Sequence, residues 1–145
     1  MRFLLVLLLV WLCASVGHAQ FLIDRDSESW GYPPGGVKLT EPLIATMGQR
    51  QRFNPAVVAE RRGLTHVQLY IDFPSSVIVE PSRAWRRQSA TRYVADLGMI
   101  NPGTFVNAFE ALHFTAVAAG TLRLAYRISA YNRQPKHGVV RISVR

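Results

Sequence analysis

The side chains with distinctive chemistry in this sequence are guanidinium groups, and they cluster. Arg83, Trp85, Arg86 and Arg87 fall within the single stretch Ser82–Gln88, and Arg92 follows closely. Planar forks around an indole could grip a carboxylate or phosphate through paired hydrogen bonds while the ring stacks on a sugar or another apolar face. The other reading folds Trp85 down onto a core and leaves the arginines in solvent. A second candidate binding set is Arg123, Arg127 and Arg141, with Arg145, which recur at even spacing in two runs of alternating polarity. Arg61-Arg62 reads as plain solvated charge.

Residues for catalysis or metal binding do not group in the same way. His66, His113 and His137 share no ligand-like spacing and none neighbours a carboxylate. Asp24, Asp26 and Glu28 alternate, but without the glycine and distal glutamate of a calcium loop. There is no Gly-x-Ser-x-Gly element and no phosphate-cradling loop. A triad assembled in space leaves no such trace, and nothing here motivates one. The expectation is a protein that is not an enzyme and uses no cofactor and no metal.

The elements that must position the arginines are strands. In Gly120–Tyr131 one parity is Leu122, Leu124, Tyr126, Ile128 and Ala130; the other holds Arg123 and Arg127. In the tail, Val140, Ile142 and Val144 alternate with Arg141, Ser143 and Arg145. Successive strand side chains point to opposite faces, so each run has an apolar face and an arginine face. Asn132–Lys136, with Pro135 inside it, reads as the turn of a hairpin. With that loop Ile128 faces Val140 and Tyr126 faces Ile142. On the outer face Arg127 then falls opposite Arg141, and Arg123 opposite Arg145. Like charges opposite one another cost about 0.2–1 kcal/mol per pair. Either the register differs, or solvent screens the cost, or an anion sits there.

Leu64–Phe73 is a strand with Val67, Leu69, Ile71 and Phe73 on one side and His66, Gln68, Tyr70 and Asp72 on the other. Val37–Asn54 reads as one or two early strands, with Pro42 marking an edge or break and Thr46–Gln49 a turn. Ala56–Arg62 reads as a short helical turn, capped by Asn54, with Pro55 first and Gly63 as its stop. Val77–Glu80 and Thr91–Leu97 are strands. Gly98–Gly103 is a turn, and Thr104–Val117 is a long strand that changes face through a bulge near Phe109–Leu112. About seven or eight short strands and little helix predict an all-β antiparallel sandwich.

The chain opens MRFLLVLLLVWLCASVGHAQ, with a basic start, an apolar stretch from Phe3 to Cys13 and a small-x-small site at Gly17-His18-Ala19. This predicts a secretory signal over residues 1–19, too short to span a bilayer comfortably. Residues 20–36 read as a proline- and glycine-containing lead-in, either a loosely held tail or a peptide whose Trp30 and Tyr32 dock on a partner or on the domain. Residues 37–145 form the domain. Cleavage after Ala19 would leave 126 residues and remove Cys13, the sole cysteine, so no disulfide is available. Lys+Arg number 17 against 9 Asp+Glu, and the excess is nearly all arginine. Outside the cytoplasm a basic surface points to an envelope protein, an anionic polymer or lipid headgroups rather than nucleic acid. The processed chain is expected in the periplasm or the extracellular space, and not to span the membrane.

The order VADLGMINPGTF, then ALHFTAVAAGTLRLAYRIS, then GVVRISV, over Tyr93–Val144, resembles the ending of bacterial extracellular immunoglobulin-like domains. That resemblance implies an immunoglobulin-like sandwich with a binding or spacer role. A fainter likeness is to the chagasin-type inhibitors of cysteine proteases. Asn101-Pro102-Gly103-Thr104 echoes their Asn-Pro-Thr-Thr-Gly loop at the wrong end of the chain, and their Arg-Pro-Trp loop has no match in Ser129-Ala130-Tyr131-Asn132. The expected function is therefore a non-catalytic accessory module that binds through its basic surface. The alternative is a protease inhibitor presenting Pro74–Ser76, Asn101–Thr104 and Asn132–His137 together at one end of the sandwich.

Overall fold

Alternating burial, not helical periodicity, organises the described residues. The computed structural model describes residues 36–38, 44–59, 61–80 and 82–145; the expected signal peptide and all but the last residue of the lead-in lie outside them. The described residues form twelve strands: β1 (Gly36–Lys38), β2 (Ile44–Ala45), β3 (Arg50–Phe53), β4 (Ala56–Val58), β5 (Leu64–Asp72), β6 (Val77–Glu80), β7 (Trp85–Arg87), β8 (Arg92–Ile100), β9 (Phe105–Asn107), β10 (Leu112–Ala116), β11 (Gly120–Ala130) and β12 (Arg133–Val144). One layer is a six-stranded sheet in the order β2-β12-β11-β5-β8-β7. Two three-stranded sheets, β1-β4-β9 and β3-β10-β6, lie across the core from it. The class is the expected all-β sandwich, though the large sheet is mixed, because β2 pairs parallel with β12.

The core is built by the parities read from the sequence. Leu122, Leu124, Tyr126 and Ile128 of β11 are buried, as are Leu69 and Ile71 of β5 and Val140, Ile142 and Val144 of β12. Each such side chain removed from water contributes roughly 1.5–3 kcal/mol. Aromatic rings join the layers. Phe53 and Phe114, from β3 and β10, meet Phe73, at the end of β5, with ring centroids 5.7 and 6.0 Å away. Phe73 in turn meets Tyr93 of β8 edge-on at 5.8 Å. The edge-to-face contacts of Phe73 with Phe53 and Tyr93 place the positive ring edge on a negative ring face.

Several local expectations are corrected. Ala56–Arg62 is not a helical turn: Ala56 and Val57 are fully buried in β4, and the Asn54 side chain, instead of capping, donates to the Ala108 carbonyl at 3.2 Å. Thr104–Val117 is not one bulged strand but two, β9 and β10, in different sheets, and Phe109 between them is exposed. β3 and β4 are separated in the same way at Asn54-Pro55. These interruptions and the very short β1, β2 and β7 raise the strand count above seven or eight.

The hairpin turn is Tyr131-Asn132, not Asn132–Lys136; Ala130 pairs with Arg133, and β12 begins at once. Val140 therefore faces Leu124 rather than Ile128, and Ile142 faces Leu122. Pro135 sits where the β11–β12 register shifts, on a part of β12 that β2 does not reach. An unpaired edge and a bulge are the places where a residue without an N–H is tolerated in a sheet.

Candidate functional site

The outer face of the six-stranded sheet gathers the strand arginines in rows. One row runs His137, Arg127, Tyr70, Val94, Arg86 across β12, β11, β5, β8 and β7. The next runs Val139, Ala125, Asp72, Arg92. The one after that brings Arg123 directly opposite Arg141. Arg127 does not meet Arg141, and Arg123 does not meet Arg145, as the five-residue loop had required. A like-charged pair survives nonetheless, with both members exposed.

The charges on this face are treated differently from row to row. Arg92 is neutralised: its Nε and Nη2 donate to the two carboxylate oxygens of Asp72, each at 2.8 Å. That hydrogen-bonded contact, followed by the Coulomb attraction of Asp72, raises the Arg92 pKa above its ordinary value. Arg127 lies 5.1 Å over the Tyr70 ring, which presents its negative face to the cation. The Tyr70 hydroxyl donates to Gln68 Oε1 at 2.7 Å, and Gln68 Nε2 donates to Asp96 Oδ1 at 2.6 Å. The Arg127 Nε is shielded from water and has no hydrogen-bond partner among the described residues. Arg123 and Arg141 pair with no carboxylate among the described residues. Two unneutralised guanidinium groups stand side by side, with a third held by an aromatic ring on the next-but-one row.

The loop cluster is dispersed. Trp85 is a core residue with 2% exposure, and its indole N–H donates to the Glu110 carbonyl at 3.1 Å. Its ring is not on the surface to stack on a ligand. Ser82–Gln88 is not wholly a loop, since Trp85–Arg87 pair with β8 as an edge strand, and strand alternation turns Trp85 inward and Arg86 outward. Arg83 is nearly fully exposed and touches Glu110 at 3.4 Å. Arg87 Nε donates to the Ser89 carbonyl at 3.1 Å, and its Nη2 to that of Ala90 at 3.3 Å, bracing its own turn. Of the expected loop set Arg86, and Arg92 in its pair with Asp72, lie on the outer sheet face with Arg123, Arg127 and Arg141.

The inhibitor geometry is not assembled. Asn101–Thr104 and the Tyr131-Asn132 turn both lie near Gly63, where β5 starts: Gly103 N–H donates to the Ala59 carbonyl at 2.9 Å, and Asn132 Nδ2 to that of Gly63 at 2.9 Å. Pro74–Ser76 follows the far end of β5 and sits at the opposite pole, with Val117 N–H donating to the Ser76 carbonyl. The three loops do not share one end.

Sequence parity gave no sign of one feature near Gly63. His66, at a register shift in β5, has φ of 49°, and its ring stacks on Tyr131 with centroids 4.3 Å apart. The hairpin tip is pinned there, since Tyr131 N–H donates to the Thr65 carbonyl and Thr65 N–H to Asn132 Oδ1. His113 lies opposite Glu80 in the β10–β6 pair, but no group of three or more His, Cys, Asp or Glu placed to hold a metal occurs among the described residues. No helix among them is long and apolar enough to cross a membrane.

No protein-family model matches this chain, and no curated protein matches it. Solved structures do. A cohesin module from a Clostridium perfringens ATCC13124 family 33 glycoside hydrolase is 11% identical with a TM-score of 0.47, covering 76% of this chain and 96% of its own. An uncharacterised Nocardia farcinica protein with an immunoglobulin-like fold is 14% identical with a TM-score of 0.48, covering 71% and 81%. BslA, a bacterial hydrophobin, is 11% identical with a TM-score of 0.44, covering 75% and 92%. These are likenesses of architecture alone.

Proposed function

We propose that this protein is a secreted or periplasmic, non-catalytic binding module. The outer face of its six-stranded sheet contacts an anionic envelope component or an acidic partner protein. The observation that supports this most directly is the juxtaposition of Arg123 and Arg141 with no carboxylate partner among the described residues. Directly opposed like charges lower stability unless a counter-charge arrives, and a ligand carboxylate or phosphate supplies one in the paired geometry that guanidinium favours. Arg127 extends the positive strip toward Tyr70, whose ring holds it in place.

The test is retention on isolated envelope fractions and on a dextran sulfate matrix, across a salt series. Arg123→Gln with Arg141→Gln removes two exposed charges and leaves every buried contact in place. Adding Arg127→Gln removes the third. The expected result is stepwise loss of retention and a shallower salt dependence, because each neutralising contact releases counterions from the polyanion. Retention that is the same in wild type and double variant at every salt concentration refutes the proposal.

A further inference from the structure

We propose that the pole of the sandwich formed by Thr46–Gln49 and Val117–Ala119 contacts the surface of an anionic lipid bilayer. Here the apolar tip enters the headgroup layer, Arg145 meets the headgroups, and Arg141 and Arg123 face them from farther out. This inference rests on the cationic-face reading and adds a partner class to it. Two independent features coincide at this pole. The first is apolar exposure: Ile44 is 51%, Met47 50% and Val117 54% exposed, and Ala118 and Ala119 beside them are exposed as well. Neither 44–49 nor 116–122 contains an acidic residue. The second is charge. Arg145, Arg141 and Arg123 share the outer sheet face that ends at this pole, where Ile44 lies in register with Ser143.

Part of the tip backbone is already bonded within the chain. Met47 N–H donates to the Arg145 carbonyl at 2.8 Å, Gly48 N–H to that of Ala116 at 2.9 Å, and Gln49 N–H to that of Thr46 at 3.1 Å. Val117 N–H donates to the Ser76 carbonyl at 3.2 Å, and Arg145 N–H to that of Ala45 at 2.9 Å. The N–H groups bonded in this way do not lose their partners on entering a region poor in water. These bonds also tie the turn to both layers of the sandwich, so little ordering entropy remains to oppose docking.

The spacing suits an interface. At about 3.3 Å per strand residue, Arg141 lies roughly 13 Å from Arg145 along β12. Apolar groups of peripheral proteins reach about 5–10 Å into the headgroup boundary. With the tip at that depth Arg145 sits among the headgroups, and Arg141 and Arg123, more than one Debye length farther out, add a weaker, screened attraction. A soluble polyanion would use the arginines and have no use for the bare tip. A bilayer uses both.

The experiment is flotation with phosphatidylcholine vesicles, with and without phosphatidylglycerol, using the chain processed after Ala19. Dextran sulfate binding is measured in parallel. Wild type is expected to float with the anionic vesicles and poorly with the neutral ones. Arg123→Gln with Arg141→Gln should lower vesicle partitioning about twofold per arginine, and weaken dextran sulfate binding too. Met47→Ser with Val117→Ser should lower vesicle partitioning about tenfold and leave dextran sulfate binding intact. Because these side chains are exposed, a cooperative transition with a Tm no lower than that of wild type confirms that each variant is folded. If the Met47/Val117 variant floats as well as wild type, or if wild type does not float while still binding dextran sulfate, the lipid proposal is overturned and the broader anion-binding reading survives. If the arginine variant matches wild type in both assays, both are overturned.

Discussion

Arg123 and Arg141 should destabilise the fold that carries them. Their strands are paired in register, so their Cβ atoms are roughly 4.5–5.5 Å apart and the long side chains can splay to separate the charges. At a guanidinium separation of ~6 Å in water the repulsion is about 0.7 kcal/mol. Physiological salt, with a Debye length of ~8 Å, roughly halves it. A double-mutant cycle isolates this interaction from the packing that each arginine stem contributes. Arg123→Gln and Arg141→Gln should each raise Tm by about 2–4 °C in dilute buffer. The double variant should gain no second increment of repulsion relief, because either single change already removes the pair. The coupling should shrink as salt rises. Adding dextran sulfate should raise the Tm of wild type more than that of the double variant, since an anion that binds the native state stabilises it by mass action. A coupling that is zero or favourable in dilute buffer, or one that salt does not alter, refutes the claim that these arginines repel one another.

Other substitutions test the scaffold by urea denaturation. Gly138 faces Tyr126 across the β11–β12 pair, and the Tyr126 ring occupies the space where a Cβ would stand. Gly138→Ala should therefore cost about 1–3 kcal/mol by overpacking, and an unchanged urea midpoint would show that the ring moves freely aside. Trp85→Phe leaves the Glu110 carbonyl without its donor and opens a gap in the core. It should cost about 1–3 kcal/mol, whereas Arg83→Gln in the same stretch should stay within about 0.5 kcal/mol of wild type. His66→Val places a β-branched side chain at φ of 49° and removes the stack on Tyr131. A loss of about 1–2 kcal/mol is expected, and the smaller loss expected for His66→Gly would separate backbone strain from ring contact.

Which residues face the core was legible in the sequence, and which strands are neighbours was less so. In β11 and β12 every aliphatic residue assigned inward is buried, although the pairing is displaced by four residues from the one the sequence implied. An even displacement preserves both faces. Parity therefore fixed the faces and left the register to the turn, and Pro135 drew the turn to the wrong place, because a proline at a bulge on an unpaired edge is indistinguishable in sequence from one that breaks a strand. Asn54-Pro55 misled in the same way: the pair has the residue types of a helix start, but burial of Ala56 and Val57 overrides so short a local preference.

The same logic separates the two arginine clusters. On β11 and β12 the arginines sit at the parity opposite the aliphatic residues. Any register that keeps the core intact therefore brings arginines of one strand beside the outward face of the other, and the cationic face follows from alternation alone. The Ser82–Gln88 cluster had only proximity in sequence to recommend it. In an edge strand proximity divides neighbours between two faces, and the indole, as the largest apolar group, goes inward. Arg86 shares the outer face with the strand arginines because β7 pairs with β8 next to β5, a neighbour relation set by tertiary topology. If anion binding survives loss of Arg123 and Arg141 but falls on Arg86→Gln, the ligand is read across the far side of the sheet, and the alternation argument has located the face without locating the contact.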